Sequence, residues 1–349
     1  MKIVIAPDSF KGTATAAQAA GWLGEGVRAV APEADIVLVP MAHGGEGTSE
    51  CFAGERVALP TTTADGRLTE ATYTFDTDTA YIDVATASGL PLVSQPCALD
   101  GDTYGTGVLI ADAVERGARR IVLGLGGSAT VDGGTGILVA LGTQLLDPEG
   151  RAVPQGGAGL ERVATLDAAT LNVKAAAVDW LLLADVTTPP AEAAQVFGPQ
   201  KGAGAQDVER LRRGLTHLCE VAGVSADRAS FGAAGAIPVG IAWLSSLVHG
   251  SEEHVQILPG AATVARANGL AEQAADADLV ITGEGAYDAQ SQMGKVVSVV
   301  TALGRPTAIA AGSIEGEFPG LTAELPNLPV DEQLRRAGAE IIRQYLQQH

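Results

Sequence analysis

The chain has 349 residues, 46% of them hydrophobic, and carries 22 basic against 41 acidic side chains for a formal net charge of −19. That length holds a large core, usually split between two domains. The charge excludes nucleic acid and anionic membrane surfaces as partners, because both are collected by Lys/Arg-rich surfaces through counterion release, whereas a small anion answers to the local field of a few lysines and backbone amides.

Residues 2–6 open the chain as a buried strand, with no basic region or cleavage site of a leader ahead of it. Helical spacing over 16–30 and a second apolar run over 35–40 follow. From 55 to 87 the pattern drops to period two around an Ala64-Asp65-Gly66 turn, which predicts two or three antiparallel strands. Beyond it, helix and strand alternate again. Helices are expected over 106–116, 134–145, 207–222, 261–275 and 331–347, with strands over 120–125, 180–184, 279–282 and 307–311 and a turn over 324–329. Alternation of this kind is α/β with a largely parallel sheet. The antiparallel piece suggests a second domain inserted into the first, leaving the N- and C-terminal strands in one sheet; an insertion on one large domain fits the pattern almost as well. Cys51, Cys97 and Cys219 are odd in number and widely spaced, so neither a disulfide framework nor a zinc site is signalled. No apolar run approaches the roughly 20 residues of a membrane span. These features together predict a soluble protein of the reducing cytoplasm.

Strand ends carry the chemistry-bearing residues. In an open α/β sheet ligands bind beyond the carboxyl ends of the strands, and helix N-termini favour anions. Asp8, Ser9 and Lys11 follow the first strand and are placed to meet a substrate or phosphate. After the second strand comes His43-Gly44-Gly45-Glu46-Gly47-Thr48. There Glu46 can hold a metal or take a hydroxyl proton, and His43 reads as a polar turn residue. The densest glycine cluster, 124–136, includes Gly126, Gly127, Ser128, Thr130 and Asp132. Its amides and hydroxyls suit a phosphate, although it is neither a dinucleotide fingerprint nor a Walker loop. Asp185, Glu284 and Asp288 put carboxylates at two further strand ends, and acids on different strands can converge to hold Mg²⁺ while one deprotonates a hydroxyl. Lys201 and Lys295, beside glycines in loops, can each neutralise an anion. His249 and His254 are set aside as an exposed helix start.

Six blocks in chain order then carry a resemblance. They are Ala6-Pro7-Asp8-Ser9-Phe10-Lys11-Gly12, Gly44-Gly45-Glu46-Gly47-Thr48, Thr103-Tyr104-Gly105-Thr106-Gly107, Gly124-Leu125-Gly126-Gly127-Ser128-Ala129-Thr130, Val196-Phe197-Gly198-Pro199-Gln200-Lys201-Gly202-Ala203 and Ile281-Thr282-Gly283-Glu284-Gly285. Through them the chain resembles the glycerate kinase family. The resemblance implies ATP- and Mg²⁺-dependent phosphorylation of D-glycerate to a phosphoglycerate, with the 2-isomer favoured over the 3-isomer. It also implies two α/β domains, one Rossmann-like with a mostly parallel sheet and the other a mixed-sheet domain inserted into it. We set the expected boundaries at 1–50 plus 260–349 and at 51–259. Glycerate and ATP are then the partners, and a homodimer is left open.

Chemistry and position distribute the expected roles. The triphosphate goes to Gly126, Gly127, Ser128 and Thr130 with Lys295, and Mg²⁺ to Asp185 with Asp132 or Glu284 assisting. Glycerate goes to Ser9, Lys11, Glu46 and Lys201, and the base is Asp8 or Asp288. The sequence departs from the family pattern at His43, which stands where family members usually carry Asp, and at Val131 and Thr188, where they usually carry Asn. Two alternatives follow: a kinase of another small hydroxy acid on the same scaffold, or a binding-only paralogue acting as a regulator.

Overall fold

The computed structural model describes residues 1–10, 12–251, 253–288, 295–315, 318–324 and 328–348. Thirteen strands run through them in chain order: β1 (Lys2–Ile5), β2 (Asp35–Leu38), β3 (Glu55–Thr62), β4 (Leu68–Asp76), β5 (Thr79–Asp83), β6 (Arg120–Gly124), β7 (Gln144–Leu146), β8 (Thr165–Asp167), β9 (Asp179–Leu183), β10 (Val255–Leu258), β11 (Leu279–Tyr287), β12 (Thr307–Ile314) and β13 (Leu321–Glu324). Packing divides the chain into two units, Met1–His43 with Pro259–His349, and Gly44–Leu258.

The first unit has a five-stranded sheet in the order β13-β12-β11-β1-β2, parallel throughout. Strand order reverses between β11 and β1, and that is where an open α/β sheet leaves its ligand crevice. The core on one face of this sheet joins Ile3 and Ile5 to Leu23 and Val27 of helix Ala16–Val30 and to Ile341 and Ile342 of helix Val330–Gln348. The earlier helix begins with a capping box, in which Gln18 N donates to Thr15 Oγ1 at 3.2 Å and Thr15 N to Gln18 Oε1 at 3.0 Å.

The second unit is a mixed sheet in the order β10-β9-β6-β5-β4-β3. Its β3 and β4 pair antiparallel, as do β4 and β5, while β5, β6, β9 and β10 run parallel to one another. Pro60 sits in β3, an edge strand where a missing N–H costs no ladder bond. Its core includes Trp180, Ile82, Leu109, Ile121 and Leu123, all fully buried. Each such side chain contributes about 1.5–3 kcal/mol by leaving water. The chain is thus two α/β domains, one parallel and one mixed and inserted, as the sequence predicts.

Local boundaries differ from expectation for identifiable reasons. The helix expected over 134–145 stops at Ala140, because Gly142 turns at φ +100°, and β7 follows. The one expected over 261–275 breaks at Gly269 (φ +61°) into Gly260–Ala267 and Leu270–Ala274. β11 runs on through Glu284 to Tyr287, since pairing with β12 overrides the poor strand propensity of Gly283 and Gly285. His249 ends helix Ala233–His249, capped by Gly250 at φ +67°, and does not begin one. Within the expected 324–329 turn, residues 325–327 lie outside the described residues, and Glu324 closes β13. Among the described residues no helix is long and apolar enough to cross a membrane.

Candidate active site

In the parallel unit, three neighbouring strands deliver side chains to one end of the sheet. β1 and β11 stay in register past the end of β1, where Ala6 N donates to Ile281 O at 2.7 Å and Asp8 N to Gly283 O at 2.9 Å. Asp8 is held there, only 5% exposed, with Oδ1 accepting from Ser9 N at 2.7 Å. Its Oδ2 lies 2.7 Å from His43 Nδ1, on the segment that follows β2. Ser9 is half-buried and Glu284 buried. Lys11, expected at the substrate, lies outside the described residues. Asp288 is half-buried just past β11, and Lys295 is the N-cap of helix Val296–Thr301. A cavity of about 360 Å³ opens at the same sheet end, bounded by Phe10, Thr13, Gly285, Gly312 and Gln333 among others.

In the mixed unit, the glycine cluster after β6 is pressed against the Gly44–Gly47 segment backbone to backbone. Gly126 N donates to Gly44 O at 2.7 Å, and a Cβ on Gly126 would stand 2.7 Å from the Cα of Gly45. Gly44, at φ +90°, leaves a Cβ no room either, with Leu183 O 2.8 Å away. Part of the glycine density therefore serves loop-on-loop packing. Several loop amides are also committed to the fold, among them Leu125 N to Leu183 O at 3.1 Å, Gly126 N as above and Ala129 N to Ser88 O at 2.8 Å. Glu46 is exposed at the tip of its turn.

Lys201 is the buried cation of this unit, 2% exposed. Its Nζ donates to Ser128 Oγ at 2.9 Å and to Thr130 O at 2.7 Å, so it braces the glycine loop from beneath. Burial pushes its pKa down to about 7, against the pull of Asp132, which acts in the opposite sense. Thr130 Oγ1 is buried with no hydrogen-bond partner among the described residues. Behind the loop, Ala234, Gly235 and Ala236 take three successive left-handed conformations (φ 53°, 70° and 69°), and Gly235 O accepts from Gly133 N at 2.9 Å. Alanine there is strained, a cost usually met near functional loops.

Asp132 is fully buried, and its carboxylate accepts from Thr103 N (3.0 Å), Thr103 Oγ1 (2.8 Å), Gly134 N (3.2 Å) and Gly136 N (3.0 Å). Burial raises its pKa and these bonds oppose the rise. The structure thus turns Asp132 inward as the clasp of the glycine loop, and the metal position expected for it has no carboxylate oxygen without a protein donor. Asp185 stands half-buried just beyond β9. Among the described residues no group of three His, Cys, Asp or Glu side chains is gathered to hold a metal. Mg²⁺ does not demand one, being usually held by one or two carboxylates, waters and substrate phosphates. Asp185 and Glu284 have the oxygen-donor chemistry that this coordination uses.

One acid escaped the sequence reading. Asp83, the last residue of β5, is fully buried, and both its oxygens accept from Ser49 N (3.0 and 3.1 Å) while Oδ2 also accepts from Ser49 Oγ at 3.0 Å. Burial pushes its pKa up to about 7. It fastens the segment after Gly47 beneath the glycine loop. The signal was present in Tyr81-Ile82-Asp83-Val84, an acid closing an apolar strand, the same pattern that marks Asp185.

Residues 3–332 match the glycerate kinase family. A glycerate kinase of Haemophilus influenzae is 37% identical over 338 residues, covering 91% of this chain and 87% of its own. A glycerate 2-kinase of Escherichia coli K12 is 38% identical over 335 residues, covering 90% and 86%. A crystal structure from Salmonella typhimurium LT2 superposes with a TM-score of 0.82 at 35% identity and covers the whole of both chains. With a similarity that runs nearly end to end and a fold that accords with it, the chain belongs to the glycerate kinase family.

Proposed function

We propose that this family member transfers the γ-phosphoryl group of ATP to a hydroxyl of D-glycerate, giving 2-phosphoglycerate in preference to 3-phosphoglycerate. The observation that carries the reading is the glycine loop braced by a buried lysine. Phosphoryl transfer asks a protein mainly for alignment and charge neutralisation, and the loop supplies a rigid backbone, the Ser128 and Thr130 hydroxyls and the Lys201 cation in one place. A lysine with its pKa near 7 regains its proton as an anionic phosphate approaches, so its charge rises when it is needed.

Roles follow residue by residue. Gly126, Gly127, Ser128 and Thr130 bind the triphosphate with Lys295, and Lys201 sets the loop and its field. Asp185 and Glu284 are the carboxylates that would hold Mg²⁺, which supplies charge neutralisation on the transferring phosphate when bound. Ser9, Lys11 and Glu46 meet glycerate. The hydroxyl proton leaves through the Asp8 strand end or through Asp288. The preference for the 2-hydroxyl draws on the similarity to the Escherichia coli chain named a glycerate 2-kinase.

The test is ADP release from MgATP with and without D-glycerate, followed by phosphorus NMR of the product. Glycerate-dependent ADP with 2-phosphoglycerate is expected. Turnover of a different hydroxy acid in place of glycerate overturns the acceptor assignment. No turnover by a protein shown to be folded overturns the kinase reading in favour of a binding-only role.

A further inference from the structure

We infer that segment 230–236 is a brace that sets the glycine loop and the loop after Asp185 against each other, with Gly232 and Gly235 as positioning residues for phosphoryl transfer. This inference rests on the kinase reading above, which puts the triphosphate on the first loop and a metal-holding carboxylate at the start of the second.

The two loops leave the sheet side by side. β6 and β9 are parallel neighbours with Gly124 opposite Leu183, and Leu125 N donates to Leu183 O at 3.1 Å just past their ends. Segment 230–236, far along the chain, then takes hold of both. At one end, Ser230 N donates to Thr187 O at 3.0 Å and Gly232 N to Thr188 O at 2.9 Å. The fit is close, since a Cβ on Gly232 would stand 2.5 Å from Pro189 O. At the other end, Gly235 O accepts from Gly133 N at 2.9 Å, and a Cβ on Gly235 would stand 2.2 Å from Thr130 O, the carbonyl that also accepts from Lys201. Gly240 N, in the helix that follows, donates to Gly133 O at 3.0 Å, so Gly133 is gripped at both its N–H and its carbonyl.

Backbone strain singles out the same segment. Among the described residues four non-glycines have positive φ, and three of them, Ser230 (67°), Ala234 (53°) and Ala236 (69°), lie within it. Left-handed backbone is unfavourable for a residue with a Cβ and persists only where surrounding contacts over-determine it. Here those contacts include both loops that carry the proposed chemistry. A segment held in one conformation by two partners passes a displacement of either on to the other. Phosphoryl transfer depends on such alignment, and a misplacement of about 1 Å can cost about a hundredfold in rate.

Two single-methyl substitutions test the brace from its opposite ends in the full chain. Gly235→Ala pushes on the glycine loop, and Gly232→Ala, at an ordinary φ of −81°, pushes on the backbone at 188–189. Gly223→Ala is the control: at φ +69° with nothing within 4 Å, its methyl carries the backbone cost of a left-handed alanine and meets neither loop. In hydrogen exchange of the ligand-free protein, Gly235→Ala should speed the Ser230 and Gly232 amides, and Gly232→Ala the Gly133 amide, each by at least about threefold beyond the control. Glycerate-dependent kcat should fall about a hundredfold in both variants and hold in the control. The KM for glycerate should change little, because its proposed contacts lie on neither loop. Exchange that quickens only at the end each methyl touches, or a kcat within about threefold of native in folded Gly232→Ala, overturns the inference and leaves the kinase reading standing. If Gly235→Ala does not fold, Gly232→Ala decides by the same criteria. A native chain without glycerate turnover removes the kinase reading by itself, and the exchange pattern still decides whether the brace couples the two loops.

Discussion

Lys201 shows how a single side chain ties the site to stability. Its folded pKa near 7 lies below the roughly 10.4 of an unperturbed lysine, so between these values the unfolded chain binds more protons and stability rises with pH. The burial cost is fully present below about pH 7 and is lost as pH climbs toward 10. Lys201→Met removes that slope. Urea unfolding between pH 7 and 10 should show the native chain gaining on the variant by an amount on the order of a few kcal/mol, and parallel curves would refute the assignment. Asp83 acts in the neighbouring window with the opposite sign, since its pKa is raised to about 7 and its cost grows as pH rises toward that value; the comparison therefore starts at pH 7. Lys201 was singled out in the sequence as a cation able to neutralise an anion, because lysine beside glycine in an acidic chain stands out. That it braces the loop from below was not legible, since its partners Ser128 and Thr130 are more than seventy positions away.

Among the elements, the pairing of helix Ala16–Val30 with helix Val330–Gln348 is the closest packing in the parallel unit. A Cβ on Gly338 would stand 2.2 Å from Leu23 O, and one on Gly26 2.0 Å from Arg335 O, so the two backbones touch through glycine. Gly338→Ala should therefore cost about 1–3 kcal/mol through overpacking. Gly21→Ala, on the same earlier helix with nothing within 4 Å of the new methyl, should gain up to about 1 kcal/mol from helix propensity. Denaturant midpoints at constant m-value decide both, and equal shifts of one sign would show that propensity alone governs these glycines. Most elements were readable from their periodicity. Helix Ala233–His249, β10 and β13 have no counterpart in the sequence reading, and two further departures depend on partners: β7 and β8 are three-residue strands that pair with each other, and β11 continues through glycines because β12 lies beside it. No local pattern encodes such partners.

For the whole molecule, charge is the property that spans both units. At −19 the compact chain repels itself more than the extended one does, and salt screens that repulsion over about 10 Å at 0.1 M. Raising NaCl from about 0.05 to about 0.5 M should raise the thermal midpoint. A falling midpoint would mean that attractive pairs, such as Lys2 with Asp276 or Arg335 with Glu25 and Asp331, outweigh the net repulsion.

The sequence by itself determined the α/β class, the inserted antiparallel piece, the strand ends that carry acids and the family, because each is written in local periodicity or in short contiguous blocks. Tertiary structure alone decided what those residues do to one another. It joined His43 to Asp8 across 35 positions, turned Asp132 inward onto Thr103, set Asp83 beneath Ser49 and placed Lys201 under the glycine loop. Proton affinity and orientation depend on burial and on partners brought together by folding, and neither quantity exists until the strands have found their neighbours.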